Sequence, residues 1–333
     1  MKKIINDPAD VVRESLQGFA LAHPDLVTLS LDPLFVARAT PTVRGTVAVV
    51  SGGGSGHEPL HAGFVGDGML DAAVPGTVFS SPTPDQVVAA AHAVHAGAGI
   101  LLVVKNYTGD VLNFETAAEL LQADGIEVRT VIVDDDVAVR DSTFTAGRRG
   151  VGGTVLLEKI VGAAVARGDD LDTVHALAER VVGVVRSMGV ALRPSTVPHS
   201  GEPSFTLGED EMEFGVGIHG EPGRERRAML PADGIVALLL EAVVTDLPFA
   251  AGDRVIVLLN GLGGTPLMEL YLAYGSVRGQ LESRGITVAR SLVGNYVTAL
   301  EMQGMSITML QLDDEMMSLW DAPVHTAALR WGV

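Results

Sequence analysis

Residues 46–57 read TVAVVSGGGSGH, a β-branched apolar run that passes directly into glycines and a histidine. The run TVAVVS (46–51) is short and continuous, which is typical of a buried strand. Glycines after a strand let backbone N–H groups approach a ligand closely, and a following helix would add free donors and partial positive charge. We therefore expect a strand, a glycine loop and a helix start, with His57 at or before the first turn of that helix.

The same alternation of strands and helices extends over most of the chain. Glycine stops, prolines and apolar periodicity place the boundaries. In the first half they predict a helix within 81–99, a strand at 100–106, a helix at 114–125, a strand at 127–136, and two consecutive helices at 154–168 and 171–189. In the second half they predict a strand running into a turn at 214–223, a helix at 234–247, a strand at 254–264, a helix at 265–285, strands at 286–294 and 306–314, and a closing helix at 314–323.

This order of elements predicts the fold class. Strands that alternate with helices form largely parallel sheets with helices on their faces. The pattern breaks after position 189, where three prolines interrupt a stretch without sustained periodicity. We therefore predict an α/β protein of two lobes with mainly parallel or mixed sheets flanked by helices. Residues 1–189 form the lobe with the glycine-rich loop, and residues 190–333 form the second.

Composition narrows the classes of partner. The formal net charge is −18, which repels phosphate backbones and anionic lipid, so we expect neither nucleic acid nor a membrane as partner. The absence of cysteine excludes disulfides and thiolate chemistry. The polar N-terminus does not resemble a signal peptide, and no apolar run approaches the length of a bilayer span, so we expect a cytoplasmic protein.

Two familiar motifs overlap the glycine loop, and neither fits. HEPLH (57–61) matches the zinc-protease pattern H-E-x-x-H, which needs both histidines on one face of a helix. Glycines directly upstream of His57, and Pro59 within the motif, oppose that helix. No Lys-Ser/Thr pair follows the glycines, and His57 stands where G-x-G-x-x-G requires glycine, which disfavours a nucleotide site.

The remaining hypothesis for the loop is a small-ligand site at the carboxyl end of a strand. The alternative is a tight turn with His57 on the surface. Lys105, Asn106 and Asp110 in KNYTGD follow the next strand and should reach the same edge, unless they form only an Asx-turn and a solvated lysine. His219 lies in GVGIHGEPG, where small neighbours leave its imidazole accessible to a carbonyl, although an isolated histidine is more often packed or at the surface. The aspartates at 134–136 are expected to be solvated or to cap the next turn.

Seven blocks of the sequence resemble one known family along nearly the whole chain. They are SGGGSGHEP, FSSPTPDQV, KNYTGDVLNFETAAE, VIVDDDVAV, TAGRRGVGGTV, EMEFGVGIHGEPG and DAPVHTAALRWG. Together and in this order they resemble the K, or substrate-binding, subunit of dihydroxyacetone kinases. The resemblance implies two α/β lobes, a homodimer, and a pocket for a three-carbon ketone.

The resemblance also implies roles for individual residues. His219 would form a covalent hemiaminal with the substrate carbonyl. His57 would assist proton transfer and hydrogen-bond the substrate, and Asp110 would be the base for the hydroxyl that receives the phosphate. Gly54, Ser55, Gly56 and Lys105 would contact the substrate, and no metal is expected in this chain.

The family's nucleotide, ADP or ATP with magnesium, is implied to lie on a separate L subunit. A phosphotransferase-system M subunit would recharge that subunit in some systems, so the donor is either phosphoenolpyruvate or ATP. Two other functions fit the same residues: a triose-binding sensor that regulates transcription, and a kinase subunit for another small ketose such as erythrulose.

Overall fold

The computed structural model describes residues 2–138, 146–221 and 223–332. Val139, Thr145 and Pro222, which belong to three of the blocks quoted above, lie outside these ranges. Over the described ranges the chain forms eight α-helices and three sheets, two of six strands and one of three. No helix in these ranges is long and apolar enough to cross a membrane.

The helices and strands have the following bounds. The helices are α1 (Val11–Ala22), α2 (Pro84–Val94), α3 (Thr108–Ala123), α4 (Gly153–Arg167), α5 (Leu171–Gly183), α6 (Ala232–Asp246), α7 (Leu267–Ser283) and α8 (Asp314–Asp321). The strands are β1 (Val27–Leu31), β2 (Leu34–Arg38), β3 (Ala48–Ser55), β4 (Gly66–Asp67), β5 (Ala72–Val78), β6 (Ile100–Lys105), β7 (Val128–Val133), β8 (Val185–Arg193), β9 (Glu211–Phe214), β10 (Glu225–Ala228), β11 (Arg254–Gly261), β12 (Thr287–Gly294), β13 (Gln303–Gln311), β14 (Val324–Thr326) and β15 (Arg330–Trp331).

The first large sheet has the strand order β1-β2-β5-β3-β6-β7. Its strands β5, β3, β6 and β7 are parallel, and the hairpin β1-β2 adds antiparallel pairs at one edge. Every residue of β3 and β6 is buried, because helices cover both faces of a parallel sheet. The carboxyl ends of β3 and β6 therefore meet at one edge, where α/β proteins bind ligands.

The second large sheet, β10-β9-β8-β13-β11-β12, is mixed: only β11 and β12 are parallel among its described pairs. Helix α4 contacts strands of both large sheets, and its residues 153–164 are all buried. The α/β class with parallel and mixed sheets is thus confirmed, and α4 contributes to one core shared by the two sheets.

The division at 189/190 stays a prediction, but two features bear on it. Strand β8 spans that position and pairs with β9 and β13, so the second sheet begins at Val185. Strand β14, close to the C-terminus, pairs with β4 of the first half. The end of the chain thus returns to the N-terminal part of the molecule.

Helix boundaries follow local chemistry where capping residues are present. Helix α2 begins with a capping box between Thr83 and Gln86, with Pro84 in the first turn. Helix α5 begins where Asp170 accepts a hydrogen bond from Thr173 N at 2.8 Å. These starts agree with the predicted helices.

Three predicted elements are wrong in part. The helix expected at 171–189 ends at Gly183, because the apolar run from Val185 is a buried strand, and an apolar run alone does not separate the two. For the strand running into a turn expected at 214–223, the turn is confirmed at 215 and 218–219, but the strand lies earlier and ends at Phe214. No helix starts at the glycine loop: residues 57–61 form turns, followed by one 3₁₀ turn at Ala62–Phe64.

The aspartates after β7 are not all solvated. Asp135 is buried and accepts hydrogen bonds at 2.7 Å from Val151 N and Gly153 N, at the start of α4. Asp136 is buried against Arg149. Burial, opposed by these hydrogen bonds and one from Ser187, raises the pKa of Asp135 to about 6. Capping of the next turn, the second of the two expectations, is confirmed for Asp136, whose Oδ1 accepts a hydrogen bond from Ala138 N at 2.9 Å.

Candidate functional site

A cavity of about 660 Å³ lies at the carboxyl edge of the first sheet. Its lining comprises Gly54, Phe79, Ser80, Ser81, Tyr107, Thr108, Gly109, Asp110 and His219. The glycine loop and KNYTGD therefore meet at one edge, as expected. His219 reaches the same cavity from the turn after β9, which belongs to the other large sheet.

The glycines of the loop are required because neighbouring atoms lie too close to leave room for a side chain. Strand β3 continues through them to Ser55. A Cβ atom on Gly53 would lie 2.2 Å from Lys105 Nζ, and one on Gly54 would lie 2.7 Å from Ser80 N. Any larger residue would displace the lysine or the wall of the cavity, so the glycines bring the backbone to the ligand edge.

His57 is fully buried beside the cavity. Its Nδ1 lies 2.8 Å from Thr298 O, a carbonyl that can only accept, so Nδ1 carries the proton. Burial, His219 and Lys105 lower the pKa of His57 well below its usual value, so the ring is neutral. Its Nε2 is buried without a hydrogen-bond partner within the described residues and is a free acceptor.

His219 stands at the centre of an aromatic cluster. Its ring meets that of Tyr107 edge-on with centroids 4.4 Å apart, and that of His57 at 4.7 Å. Its Nδ1 lies 3.0 Å from Glu221 Oε1, and its backbone N–H donates to Glu221 Oε2 at 2.9 Å. A proton on Nδ1 satisfies this contact and leaves Nε2 with a free lone pair, the state required of a nucleophile.

Glu221 is buried yet ionised. Burial disfavours its charge, but the charge and hydrogen bond of His219 and the charge of Arg149 outweigh it and lower the pKa of Glu221 to about 2. Arg149 is itself fixed, since Nε donates to Asp136 at 2.8 Å and Nη2 to Gly215 O at 2.7 Å. A fixed negative charge behind His219 stabilises positive charge on the imidazole.

Asp110 lies in the first turn of α3, 3% exposed. Its Oδ2 is 3.7 Å from Lys105 Nζ. Its Oδ1 and the hydroxyl of Tyr107 are buried without hydrogen-bond partners within the described residues. Because buried polar atoms are almost always hydrogen-bonded, two unpaired atoms on residues that line one cavity mark it as a candidate polar binding site.

Four residues predicted to bind the substrate do not line the cavity: Lys105, Ser55, Gly56 and His57. They lie against residues that line it, or they support the glycine loop. Lys105 Nζ donates to Gly52 O at 3.2 Å and contacts His61 Nε2 at 2.9 Å. Ser55 Oγ donates to Gly76 O at 2.7 Å. A Cβ atom on Gly56 would meet the ring of Phe79 at 2.8 Å. Their substrate-binding role stays a prediction.

The arrangement does not fit the zinc pattern that HEPLH suggests. Residues 57–61 are not helical, and both ring nitrogens of His61 have protein partners. Across the part of the chain that the structure describes, no group of three His, Asp or Glu side chains is arranged to hold a metal ion.

Several residues of the site were missed by the sequence reasoning. Tyr107 and Phe79 line the cavity, and Glu221 lies behind His219. Glu221 stands in the same quoted block as His219, two residues on, where it was available as a partner. Glu158 is a buried acidic residue within the apolar helix α4. An acidic residue in an apolar run was the available signal, because a buried charge needs a partner.

Fold and cavity together define an α/β protein with a ligand-sized cavity at one edge of a sheet, lined by a histidine and a carboxylate. The family comparison is more specific: residues 17–328 match the profile of the Dak1 domain. The chain therefore belongs to the Dak1 domain family.

Individual relatives agree over the full length. The chain is 51% identical to the dihydroxyacetone-binding subunit DhaK of the PEP-dependent dihydroxyacetone kinase of Escherichia coli strain K12, covering 100% of both chains. Two solved structures are also similar. The dihydroxyacetone kinase of C. freundii has a TM-score of 0.89 at 36% identity, with 99% of this chain and 60% of that chain covered. The dihydroxyacetone kinase operon co-activator Dha-DhaQ has a TM-score of 0.91 at 36% identity, with 98% and 99% covered.

Proposed function

We propose that this protein is the dihydroxyacetone-binding subunit of a dihydroxyacetone kinase, a phosphotransferase that acts together with a separate nucleotide-bearing L subunit. The observation that carries the proposal is that His219 and Asp110, a nucleophile and a base, line one cavity. The full-length relative from Escherichia coli, named for the same subunit and substrate, supports it.

The first step is addition of His219 to the ketone. The Nε2 lone pair bonds to the carbonyl carbon, and the π electrons of the carbonyl move to its oxygen, which takes up a proton from solvent. The imidazole loses its Nδ1 proton toward Glu221, which passes it to solvent, so the product is a neutral hemiaminal with no net gain or loss of protons. Glycerol has no carbonyl and cannot form this bond, which explains how the site would select a ketone.

The second step is removal of a proton from the terminal hydroxyl. The covalent bond fixes the substrate in the cavity, which orients that hydroxyl. Asp110 then accepts its proton as the oxygen attacks the phosphorus of the donor, and the bond between that phosphorus and the donor breaks, so the dephosphorylated donor leaves. The free Nε2 of His57 accepts a hydrogen bond from a substrate hydroxyl and holds the other end of the molecule.

The phosphate donor is proposed to lie on the L subunit, as ADP or ATP with magnesium. We propose a homodimer of this chain as the unit that receives the L subunit, and phosphoenolpyruvate through a phosphotransferase-system M subunit as the ultimate donor. The relative's description as PEP-dependent supports this donor over free ATP. The residues that select between them lie on the L subunit.

Reconstitution tests the proposal. The full-length protein is mixed with an L subunit of a dihydroxyacetone kinase and either the phosphotransferase-system proteins with phosphoenolpyruvate or ATP. Formation of dihydroxyacetone phosphate in either mixture is expected, and none with this chain omitted. Erythrulose and glycerol in parallel rank the substrates, and equal turnover of glycerol would contradict carbonyl selection.

A second candidate function is a sensor that binds the ketone and contacts a transcription regulator. The likeness to the co-activator Dha-DhaQ, at a TM-score of 0.91, favours it. Asp110 at the cavity favours catalysis, since a sensor needs no base there. Ketone binding without triose phosphate, with every L subunit and donor, would identify the sensor.

A further inference from the structure

The cavity base Asp110 is connected to a chain of buried polar side chains that the proposed mechanism does not use. The chain runs from Glu158 in α4 through His61 and Lys105 to Asp110 in α3. His61 is 6% exposed, Asp110 3%, and Lys105 and Glu158 0%. Because uncompensated buried charges are costly, a chain of this kind needs a reason.

The tautomer of His61 follows from its neighbours. Ser51 Oγ donates its single proton to Val103 O at 2.8 Å. It can therefore only accept from His61 Nδ1, which lies 3.0 Å away. Glu158 Oε1 lies 2.7 Å from the same nitrogen and accepts as well. Nδ1 of His61 thus carries a proton.

The other nitrogen of His61 must then be a bare acceptor. Burial, Lys105 and His57 lower the pKa of His61 well below its usual value, so the ring holds one proton only. Its Nε2 lies 2.9 Å from Lys105 Nζ and accepts from it. The geometry gives the lysine a second acceptor besides Gly52 O, which lies 3.2 Å away.

Lys105 needs these acceptors to stay charged. Burial lowers the pKa of its ammonium, and the charges of Asp110 and Glu158 oppose that shift. The titratable groups that face it within the described residues are His57 and His61 from the turns after β3, Asp110 from α3 and Glu158 from α4. Two of these are neutral rings, so its charge depends on the two carboxyl groups and on the acceptor at His61.

We propose that Glu158 and His61 are positioning residues that fix the Lys105 ammonium against Asp110, the base of the phosphoryl-transfer step. Glu158 fixes the proton of His61 on Nδ1, His61 presents its lone pair to the lysine, and the lysine presents its charge to the carboxylate. Only the last link, the effect on Asp110 as a base, rests on the proposed function.

The charge of Lys105 is measured without any substrate. The chain has four lysines, Lys2, Lys3, Lys105 and Lys159, so NMR of lysine-labelled protein gives few side-chain signals. The Lys105 signal is assigned by its loss in Lys105→Met. In Glu158→Gln we expect its titration to move to lower pH by about one unit, since Glu158 ionises above its pKa of about 8 and then favours the ammonium, which Gln cannot do. An unmoved titration would overturn the proposal.

A matched pair of variants keeps this test sharp. Glu179→Gln is the control, because Glu179 also contacts a histidine, His175, but at 3.7 Å on the surface. It should leave the Lys105 titration unchanged. His61→Asn keeps a polar atom near Nδ1 and loses the acceptor at Nε2, whereas His61→Gln keeps an acceptor toward the lysine. The titration should move down in His61→Asn and move less in His61→Gln; equal shifts would contradict the role given to Nε2.

The consequence for catalysis is measured in the reconstituted kinase. The alkaline limb of the kcat profile should move to lower pH in Glu158→Gln by about one unit, because Lys105, the charge that faces Asp110, loses its proton at lower pH. KM for dihydroxyacetone should change little, since Glu158 does not line the cavity. An active wild type with an unchanged profile in the variant overturns this inference alone, whereas an inactive wild type overturns the proposed function and leaves the lysine result standing.

Discussion

Two histidines of this protein each contact a buried glutamate through Nδ1, and the charges around the two glutamates differ. Glu221, behind His219, has the charges of His219 and Arg149 as neighbours, and its pKa is about 2. Glu158, behind His61, has no arginine among its neighbours within the described residues, and burial, opposed by the charge of Lys105, raises its pKa to about 8. One carboxyl group is therefore ionised at neutral pH, and the other is largely protonated.

The difference separates a reactive histidine from a supporting one. A permanent negative charge stabilises the positive charge that develops when His219 attacks a carbonyl. His61 is neutral because burial, Lys105 and His57 lower its pKa, and its Nε2 accepts from Lys105. The same pair of residue types thus supports the proposed nucleophile at one site and an acceptor for a lysine at the other.

The largest expected effect concerns Asp110, the proposed base. Asp110→Asn should lower kcat by about 10²–10⁴-fold in the reconstituted kinase, the usual contribution of a general base. Ketone binding should remain, because His219 is untouched. Steady-state kinetics together with ketone titration check this, and a variant within a few-fold of wild type would remove Asp110 from the mechanism.

The protonated state of Glu158 predicts a pH dependence of stability. Its folded pKa of about 8 exceeds the ordinary glutamate value of 4.5, so the folded protein binds more protons between these two values. The free energy of unfolding therefore loses a contribution as pH rises from 4.5 to 8, on the order of a few kcal/mol. Glu158→Gln lacks this loss.

Urea unfolding of wild type and Glu158→Gln across that range measures it. The variant should gain relative to wild type as pH rises, with Glu179→Gln as the control. A constant difference would mean that Glu158 is ionised in the folded protein, and the contrast with Glu221 would disappear.

A smaller effect is expected at Glu221. Glu221→Gln keeps the shape and a hydrogen-bond acceptor but removes the charge behind His219. Loss of a charged hydrogen bond of this kind costs about 1.5–3 kcal/mol, so ketone affinity should fall about tenfold or more. Isothermal titration with dihydroxyacetone checks this. Unchanged affinity would show that the ionised carboxylate is not what activates His219.

The smallest effect concerns Gly53, a glycine of β3 that packs against Lys105. Gly53→Ala places a Cβ atom 2.2 Å from Lys105 Nζ and should cost about 1–3 kcal/mol of unfolding free energy. Gly18→Ala is the matched control in α1, with nothing within 4 Å, and should stabilise by about 0.5–1 kcal/mol. Thermal unfolding compares them, and a neutral Gly53→Ala would contradict the tight packing of lysine against the loop.

The residues at the carboxyl edge of the first sheet could be predicted from the sequence more accurately than the bounds of the helices and strands. Gly54 lies at the carboxyl end of β3 and Asp110 follows the neighbouring parallel strand β6, so their meeting is a consequence of strand polarity alone. The sequence predicts helix over 185–189, the first part of β8, because a buried apolar run has no period that separates helix from strand. The roles of Glu158 and Glu221 depend on which buried charges lie within a few ångströms, which only the tertiary structure defines.

The central claim is that His219 bonds covalently to a ketone beside Asp110. Carbon-13 NMR of the protein with dihydroxyacetone labelled at the carbonyl carbon tests it most directly. In wild type the bound carbonyl resonance should move to the chemical-shift range of a tetrahedral carbon, and His219→Ala should abolish that signal. A trigonal carbon in the wild-type complex, or a tetrahedral one that survives in His219→Ala, would contradict it.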